Sequence, residues 1–495
     1  MKWCRDHPPV ATRSVTDGCA ARSGFVDRFY SSMKPFLLMA AAGSLLVSTA
    51  SAASVGTWPQ WRGPLANGQA TDATPPLTWS ETQNVKWKLK LPGYGTSTPI
   101  VWGDQVFVVT AESTGNRPEG AKESAPPDRG PTGAPPPEGG AGGRRRGGPG
   151  GGGPGGGMRP EAPDAIQRWI VMSLDRTSGK ELWRRVVAET LPHEGHHRDH
   201  GYASFSPVTD GERLYVLLGS RGLHCLDLKG TVLWSKDLGR MQTRNGFGEG
   251  GSAAVHGDVL VVNWDHEGDD FIAAFDTKTG KERWRQERDE ATGWSTPLIV
   301  EVGGKPQVVV NATGKIRAYD LAAGTELWSC SGMTANAIPT PVAANGVLYA
   351  TSGYKGSSLM AIRLGQSGDL SQGDAILWRQ GKNTPYVPSP LFIEDRLYLY
   401  SGNNAMLSVF DAKSGKPVID AQRVPGMNGV YASPIAAGGR VYLVGRDGVT
   451  AVLKRADQFE VLATNRLDDE FDASPAAVGG QLFLRGHANL YCISE

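Results

Sequence analysis

One short motif keeps returning along this chain: a Ser or Thr, then Pro, then an apolar run. It reads "STPIV" at 97, "FSPV" at 205, "STPLIV" at 295, "PTPV" at 339, "PSPLFI" at 388, "ASPI" at 432 and "ASPAAV" at 473. "SAAV" at 252 is a degenerate copy, read with Ala254 in the place of the proline. Measured at that place, the copies lie 108, 47, 43, 44, 49, 44 and 41 residues apart. A fixed period of this size marks a repeat architecture, in which no unit can bury its apolar face alone and each stacks on its neighbours.

The order inside each unit is constant. A first strand ends in a Gly turn ("WGDQ", "DGER", "HGDV", "ANGV"), and a second apolar strand follows. A third runs into Asp and a tight turn, as in "SLDRTSGKELW" and "AFDTKTGKERW". The tryptophan after that turn falls at Trp183, Trp234, Trp284 and Trp328; blade five reaches Trp378 by a looser route, and blade six has Ile419 there. Four short strands per unit make the blade of a β-propeller. Eight units predict an all-β, eight-bladed propeller over 84–495. The eighth unit stops after its third strand. "NVKWKLKL" at 84–91, with Trp87 in the blade-tryptophan place, is expected to close the ring and pair both free edges.

Composition agrees with many tight turns and buried aromatics: 65 glycines and 14 tryptophans in 495 residues. With 51 basic and 50 acidic residues the chain lacks the basic excess of a nucleic-acid binder. The long first step is explained by a Gly/Pro/Arg-rich insertion at about 112–165, which cannot bury enough surface to fold and is placed between the second and third strands of blade one. Upstream, Met33-Lys34, an apolar run from Phe36 to Val47 and Ala50-Ser51-Ala52 read as a signal peptide. The expected start is Met33 and cleavage falls after Ala52, so 1–52 are an upstream extension plus the signal peptide, the mature chain opens at Ala53, and 53–83 form an N-terminal segment. The apolar run is too short for a permanent membrane span. No cysteine follows it, so the protein is expected in the periplasm or secreted, not as a lipoprotein. Cys225, Cys330 and Cys492 remain, and their apolar flanks predict buried free thiols rather than a disulfide framework.

The "LD-x-x-T-G-K-x-x-W" unit resembles the repeat of the PQQ-like β-propeller superfamily, which includes quinoprotein alcohol dehydrogenases and the propeller lipoprotein of the outer-membrane β-barrel assembly machinery. "WPQWRGP", "FGEGGS" and "RDEATGW" are similar to exported bacterial proteins with these repeats. The resemblance implies the fold and, for the dehydrogenases, a bound PQQ. This chain departs from them in lacking an adjacent Cys-Cys pair, and from the lipoprotein in lacking the lipid-bearing cysteine.

Propeller topology puts the loops leading into each innermost strand, and those between second and third strands, on one face. That face gathers His196, His200, Tyr202, Arg244, Glu249, Asp265, His266, Arg288, Asp289, Glu290, Trp294, Tyr386, Arg446, Asp468, Asp469 and His487. The opposite face carries plain turn chemistry. Loops on a rigid scaffold are where binding residues concentrate. "PHEGHHRDH" leads into blade two, and His196 and His200, with His266, are the candidate ligands of a divalent metal. The same loop also reads as a polar one whose histidines bond to neighbours, and "DDEFD" and "RDE" read as inter-blade ion pairs. Two function classes follow. One is an exported, non-catalytic scaffold binding a protein, peptide or glycan at this face, expected as a monomer. The alternative is a quinone- or metal-dependent oxidoreductase using the same face.

Overall fold

In the computed structural model, which describes residues 56–117, 163–402 and 405–495, every copy of the motif is followed at once by the innermost strand of a four-stranded antiparallel sheet. Those strands open at Ile100, Val208, Ala254, Leu298, Val342, Leu391, Ile435 and Ala476. Eight such sheets form the eight-bladed propeller. The third copy therefore places Ala253, not Ala254, where the others have proline.

The Ser or Thr before the proline has a structural task. The backbone N–H of Thr98 donates to Ser206 Oγ, Ser206 to Ser252, Ser252 to Thr296, Thr296 to Thr340, Thr340 to Ser389, Ser389 to Ser433 and Ser433 to Ser474, all at 2.9–3.1 Å. Each blade thus satisfies a buried backbone donor with a hydroxyl of the next, where an orphan donor would cost about 1–3 kcal/mol. At the seam between blades eight and one, the buried Arg485 guanidinium donates instead to Ser97 and to the Val109 carbonyl.

The repeated tryptophans act on the rim in the same serial way. The indole N–H of Trp87, Trp183, Trp234, Trp284 and Trp378 donates to Arg176, Leu228, Thr277, Leu321 and Ala412 carbonyls of the next blade, at 2.9–3.1 Å. Each acceptor is the residue after the turn Asp. The ring also lies against the turn glycine, so that a Cβ on Gly280 would meet Trp234 at 2.7 Å. Trp328 is the exception. Blade five leaves its third strand without the Asp turn, and the buried Trp328 N–H has no partner.

Val85–Lys90 completes blade eight as its outer strand, with Trp87 opposite Cys492. The segment before it does more than the repeat predicts. Trp58 bridges to Val101 of blade one, Arg62 donates to the carbonyls of Pro390 and Pro434, and Gln69–Ala70 adds a parallel strand to the inner edge of blade seven. Residues 58–70 therefore cross the inner strands on the side away from the polar loops. Arg62 is buried there without a carboxylate partner, and burial lowers its pKa to about 9.

In blade one, Gln105–Ser113 pairs with Gln167–Asp175 through Ser113 opposite Gln167. Most of the insertion between them, and the whole signal-peptide region with Met33 and Ala52, lie outside the described residues. Cys225, Cys330 and Cys492 are free and buried. Among the described residues no helix is long and apolar enough to cross a membrane.

Candidate functional site

The histidine-rich loop runs from the outer strand of blade one, Glu181–Thr190, to the inner strand of blade two, and it is held at both ends of its reach. On one side the His197 N–H donates to Phe247 O at 3.0 Å, in the loop leading into blade three. His200 and His196 press against Gly248, where a Cβ would stand 2.4 Å from the His200 ring and the φ of +98° itself favours glycine. On the other side Asp199 reaches Arg446 of blade seven at 3.2 Å and accepts from the Tyr431 hydroxyl at 3.4 Å. A loop that enters blade two yet touches blades three and seven lies across the mouth of the axial channel.

Arg446 continues the network. It donates to Asp472 at 2.7 Å and lies 4.1 Å from the centre of the Tyr431 ring. His487 stands between Asp472 at 3.0 Å and Glu470 at 3.2 Å. Burial pushes the Asp472 carboxyl up, but His487 and Arg446 together hold it below the usual carboxylate range. These side chains tie the loops of blades two, seven and eight together.

At the start of this loop, His193 and Glu194, with Glu249 of the loop leading into blade three, bring one ligand-type atom each to within 4.8 Å of one another. They line a cavity of about 20 Å³ walled by Trp169, Tyr202, Phe205 and Arg221, room for one water or ion. Glu194 accepts from the Thr243 hydroxyl at 2.6 Å. Glu249 accepts from the Ser220 N–H at 2.7 Å and its hydroxyl at 2.6 Å, while burial pushes its carboxyl up. His193 Nδ1 is 2.7 Å from the Arg221 guanidinium and Nε2 is 2.6 Å from the Met241 carbonyl. Arg221 has only protons to offer, so Nδ1 accepts and Nε2 carries the imidazole proton. One histidine and two carboxylates suit a divalent cation of the zinc or manganese kind. The set fits such an ion once Arg221 releases Nδ1 and Nε2 is freed.

The histidines singled out from the sequence are differently engaged. His200 Nδ1 meets Ser204 Oγ at 2.9 Å and Nε2 meets Glu249 O at 3.0 Å, and burial lowers its pKa to about 4. His266 Nδ1 accepts from the Gln242 N–H at 3.1 Å, with Nε2 3.3 Å from Asp269 O. His196 turns Nδ1 to the His197 carbonyl at 2.9 Å and packs edge-on against Tyr202. The structure gathers His193 with two glutamates, and not His196, His200 and His266, around a common point.

Of the polar-face set, Tyr202 and Glu249 line the cavity. Arg288 and Asp265 form an ion pair at 2.6 Å with both side chains 0% exposed, and Arg288 also donates to the Tyr319 hydroxyl. Glu290 accepts from Gly314 and Lys315 N–H groups and from Arg317, which also holds the exposed Asp289. These groups join blades three and four and are spent on one another. Trp294 donates to Gly248 O at 2.8 Å, and Asp469 accepts from the Asn489 N–H at 2.9 Å. Arg244 is half-buried, Asp468 is exposed, and Tyr386 lies across the face from the cavity. The sequence named the loop that holds His193, Glu194 and Asp199 and the "DDEFD" ion pairs that include Asp472 without singling these residues out, and it did not reach Arg221. Arg221 carried a usable signal, since "GSRG" follows the second strand of blade two and so faces the same way.

The described cysteines, Cys225, Cys330 and Cys492, are free and buried, and no two of them stand as an adjacent pair.

The family model described as outer membrane protein assembly factor BamB matches residues 167–416. No curated protein sequence matches the chain. Among solved structures, europium-containing methanol dehydrogenase is 11% identical over 88% of this chain and 90% of its own, with a TM-score of 0.55. Quinohemoprotein alcohol dehydrogenase from Comamonas testosteroni is 10% identical over 88% and 80%, also at 0.55. BamB from Moraxella catarrhalis is 16% identical over 65% and 88%, at 0.47. At these identities the likeness speaks for the fold. With half its length matched by that family model, this chain belongs to the PQQ-like propeller family described as outer membrane protein assembly factor BamB.

Proposed function

We propose that the protein is a divalent-metal-dependent propeller, exported, with His193, Glu194 and Glu249 as its centre. The observation that carries this reading is the meeting of one imidazole and two carboxylates at a concave, aromatic-walled point of the polar face. A bound ion would supply Lewis acidity and a lowered pKa for its own water. Around it, Glu194 is positioned by Thr243, Glu249 by Ser220, and Trp169 and Phe205 limit water at the centre. Between the two classes open from the sequence, this favours the metal-dependent alternative over the scaffold; an ion of the zinc kind does not change oxidation state, so the electron acceptor of an oxidoreductase would be a quinone or a second substrate brought to the same face. The dehydrogenases that share the fold are consistent with it.

The test is elemental analysis and calorimetric titration with Zn2+ and Mn2+ on protein beginning at Ala53, beside Glu249→Gln. One ion per chain, lost in the variant, is the expected result. A wild type that takes neither ion returns the protein to the second reading, a non-catalytic scaffold holding a partner at the same face, which the description of the matched family favours.

A further inference from the structure

Across the axis from the His193 centre, the polar face carries a second arrangement where blades five and six meet. Tyr354, in the loop between the second and third strands of blade five, stacks on Tyr386, in the loop leading into blade six. Their ring centres are 5.0 Å apart and the planes are inclined by 29°. The two loops are locked together. Thr384 Oγ1 donates to Ser352 O at 2.7 Å, and the Thr334 N–H donates to Ser352 Oγ at 2.8 Å. Gly353 runs so close that a Cβ there would stand 2.5 Å from the Pro385 carbonyl oxygen. Both tyrosines are half-buried, which leaves part of an aromatic surface facing solvent on a fixed support.

The polar groups at the pair are unbalanced. Asn336, beside Tyr386, is 2% exposed, and its amide oxygen has no protein partner. Lys355 stands with its ammonium 5.5 Å from the centre of the Tyr354 ring, on an exposed residue with φ of 50°. The platform therefore offers a partly exposed aromatic surface and a cation with donors to spare, above an amide oxygen that is closed off from solvent.

We propose that Tyr354 and Tyr386, with Lys355, form a sugar-binding platform that takes a pyranose ring of a glycan. A pyranose has the matching duality: a C–H face that lies on an aromatic ring, and hydroxyls that accept from an ammonium. A purely apolar ligand leaves the Lys355 donors unused, and a simple anion uses Lys355 but not the rings. The platform is independent of the metal centre and goes beyond it.

The experiment titrates chitotetraose and cellotetraose into the full mature protein, followed by NMR line shifts and calorimetry, with and without EDTA. Saturable binding to at least one sugar is expected, unchanged by EDTA. Tyr354→Ala is expected to weaken it at least about tenfold, and the exposed Lys355→Ala roughly threefold, with melting temperatures within a few degrees of the parent. Three results overturn the proposal. They are no saturable binding of either sugar at 10 mM (roughly the floor for a single stacked ring), binding that both variants leave unchanged, and binding of N-acetyltryptophanamide to the pair without any sugar. Loss of sugar binding on EDTA treatment would overturn it too, by attributing the binding to the metal centre.

Discussion

Asp199 and Arg446 lie 247 positions apart in the chain and 3.2 Å apart in space, and their contact holds the histidine-rich loop over the axis of the propeller. Arg446 keeps Asp472 as a partner when Asp199 is changed, so Asp199→Asn leaves no buried charge stranded. A partly exposed pair of this kind contributes about 1 kcal/mol at most. Global stability is expected to change by no more than that, while amide exchange across 196–201 speeds up roughly fivefold. Exchange that stays at the parental rate would mean the loop is held from the blade-three side alone.

Acid is expected to destabilise the protein between about pH 6.5 and pH 4. Burial lowers His200 to about 4 in the fold, with His196 and His197 adding to the depression, against about 6.5 in the unfolded chain. Between those values the unfolded chain holds the proton and the fold does not. The contribution is therefore complete above about pH 6.5 and is lost as pH falls toward 4, by roughly 3 kcal/mol. Asp472, held low by His487 and Arg446, acts in the same sense. Glu249, pushed up by burial, acts against it. Urea melts from pH 4 to 7.5 on the parent and on His200→Gln separate the His200 contribution from the others: the parent's slope is expected to be steeper. Equal slopes would show that His200 is not the group titrating.

Arg221 is expected to oppose metal binding at His193. Its guanidinium requires an unprotonated Nδ1, which leaves the proton on the nitrogen nearer Glu249, and it adds a positive charge beside the incoming ion. Arg221→Met removes both effects, and zinc affinity measured by calorimetry is expected to rise about tenfold. Unchanged or weaker binding would place the ion elsewhere.

Two tryptophans in matching places should respond differently to the same change. Trp284→Phe removes a 2.9 Å hydrogen bond to Leu321 O and strands that carbonyl, at about 1 kcal/mol beyond the lost area. Trp328→Phe removes an indole N–H that had no partner. The first is expected to be the more destabilising by denaturant titration, although Trp328 is the more buried, at 1% exposed against 9%. The reverse order would mean that buried area outweighs the hydrogen bond at this position.

Much of the fold was legible because its determinants are serial. Ser or Thr before proline, the turn Asp and the tryptophan each act on the next blade through a local geometry that recurs, so periodicity alone reveals them. Val85–Lys90 was readable for the same reason, since Trp87 supplies what the last blade lacks. Periodicity resolves the inner strand only to within a residue, as Ala254 shows: the strand starting there and the hydroxyl of Ser252 put Ala253 in the proline's place. The N-terminal segment followed no period, so the burial of Arg62 among the inner strands was invisible in the sequence.

The candidate site was legible only as a face. Topology assigns loops to one end of the ring from their order in the chain, which is why His196, His200, Arg288 and Glu290 were gathered together with Glu249 and Tyr202. Which of them pair off is set by distances between residues far apart in sequence, through burial that makes each charged group find a partner. Arg288 closed on Asp265, Glu290 on Arg317, and His200 took the Glu249 carbonyl and Ser204. The sequence by itself determined the eight blades, their closure and the polar face. Only the tertiary structure decided that His193, Glu194 and Glu249 are the groups left converging on a cavity, because convergence depends on the loops leading into blades two and three meeting in space, which no spacing in the chain records.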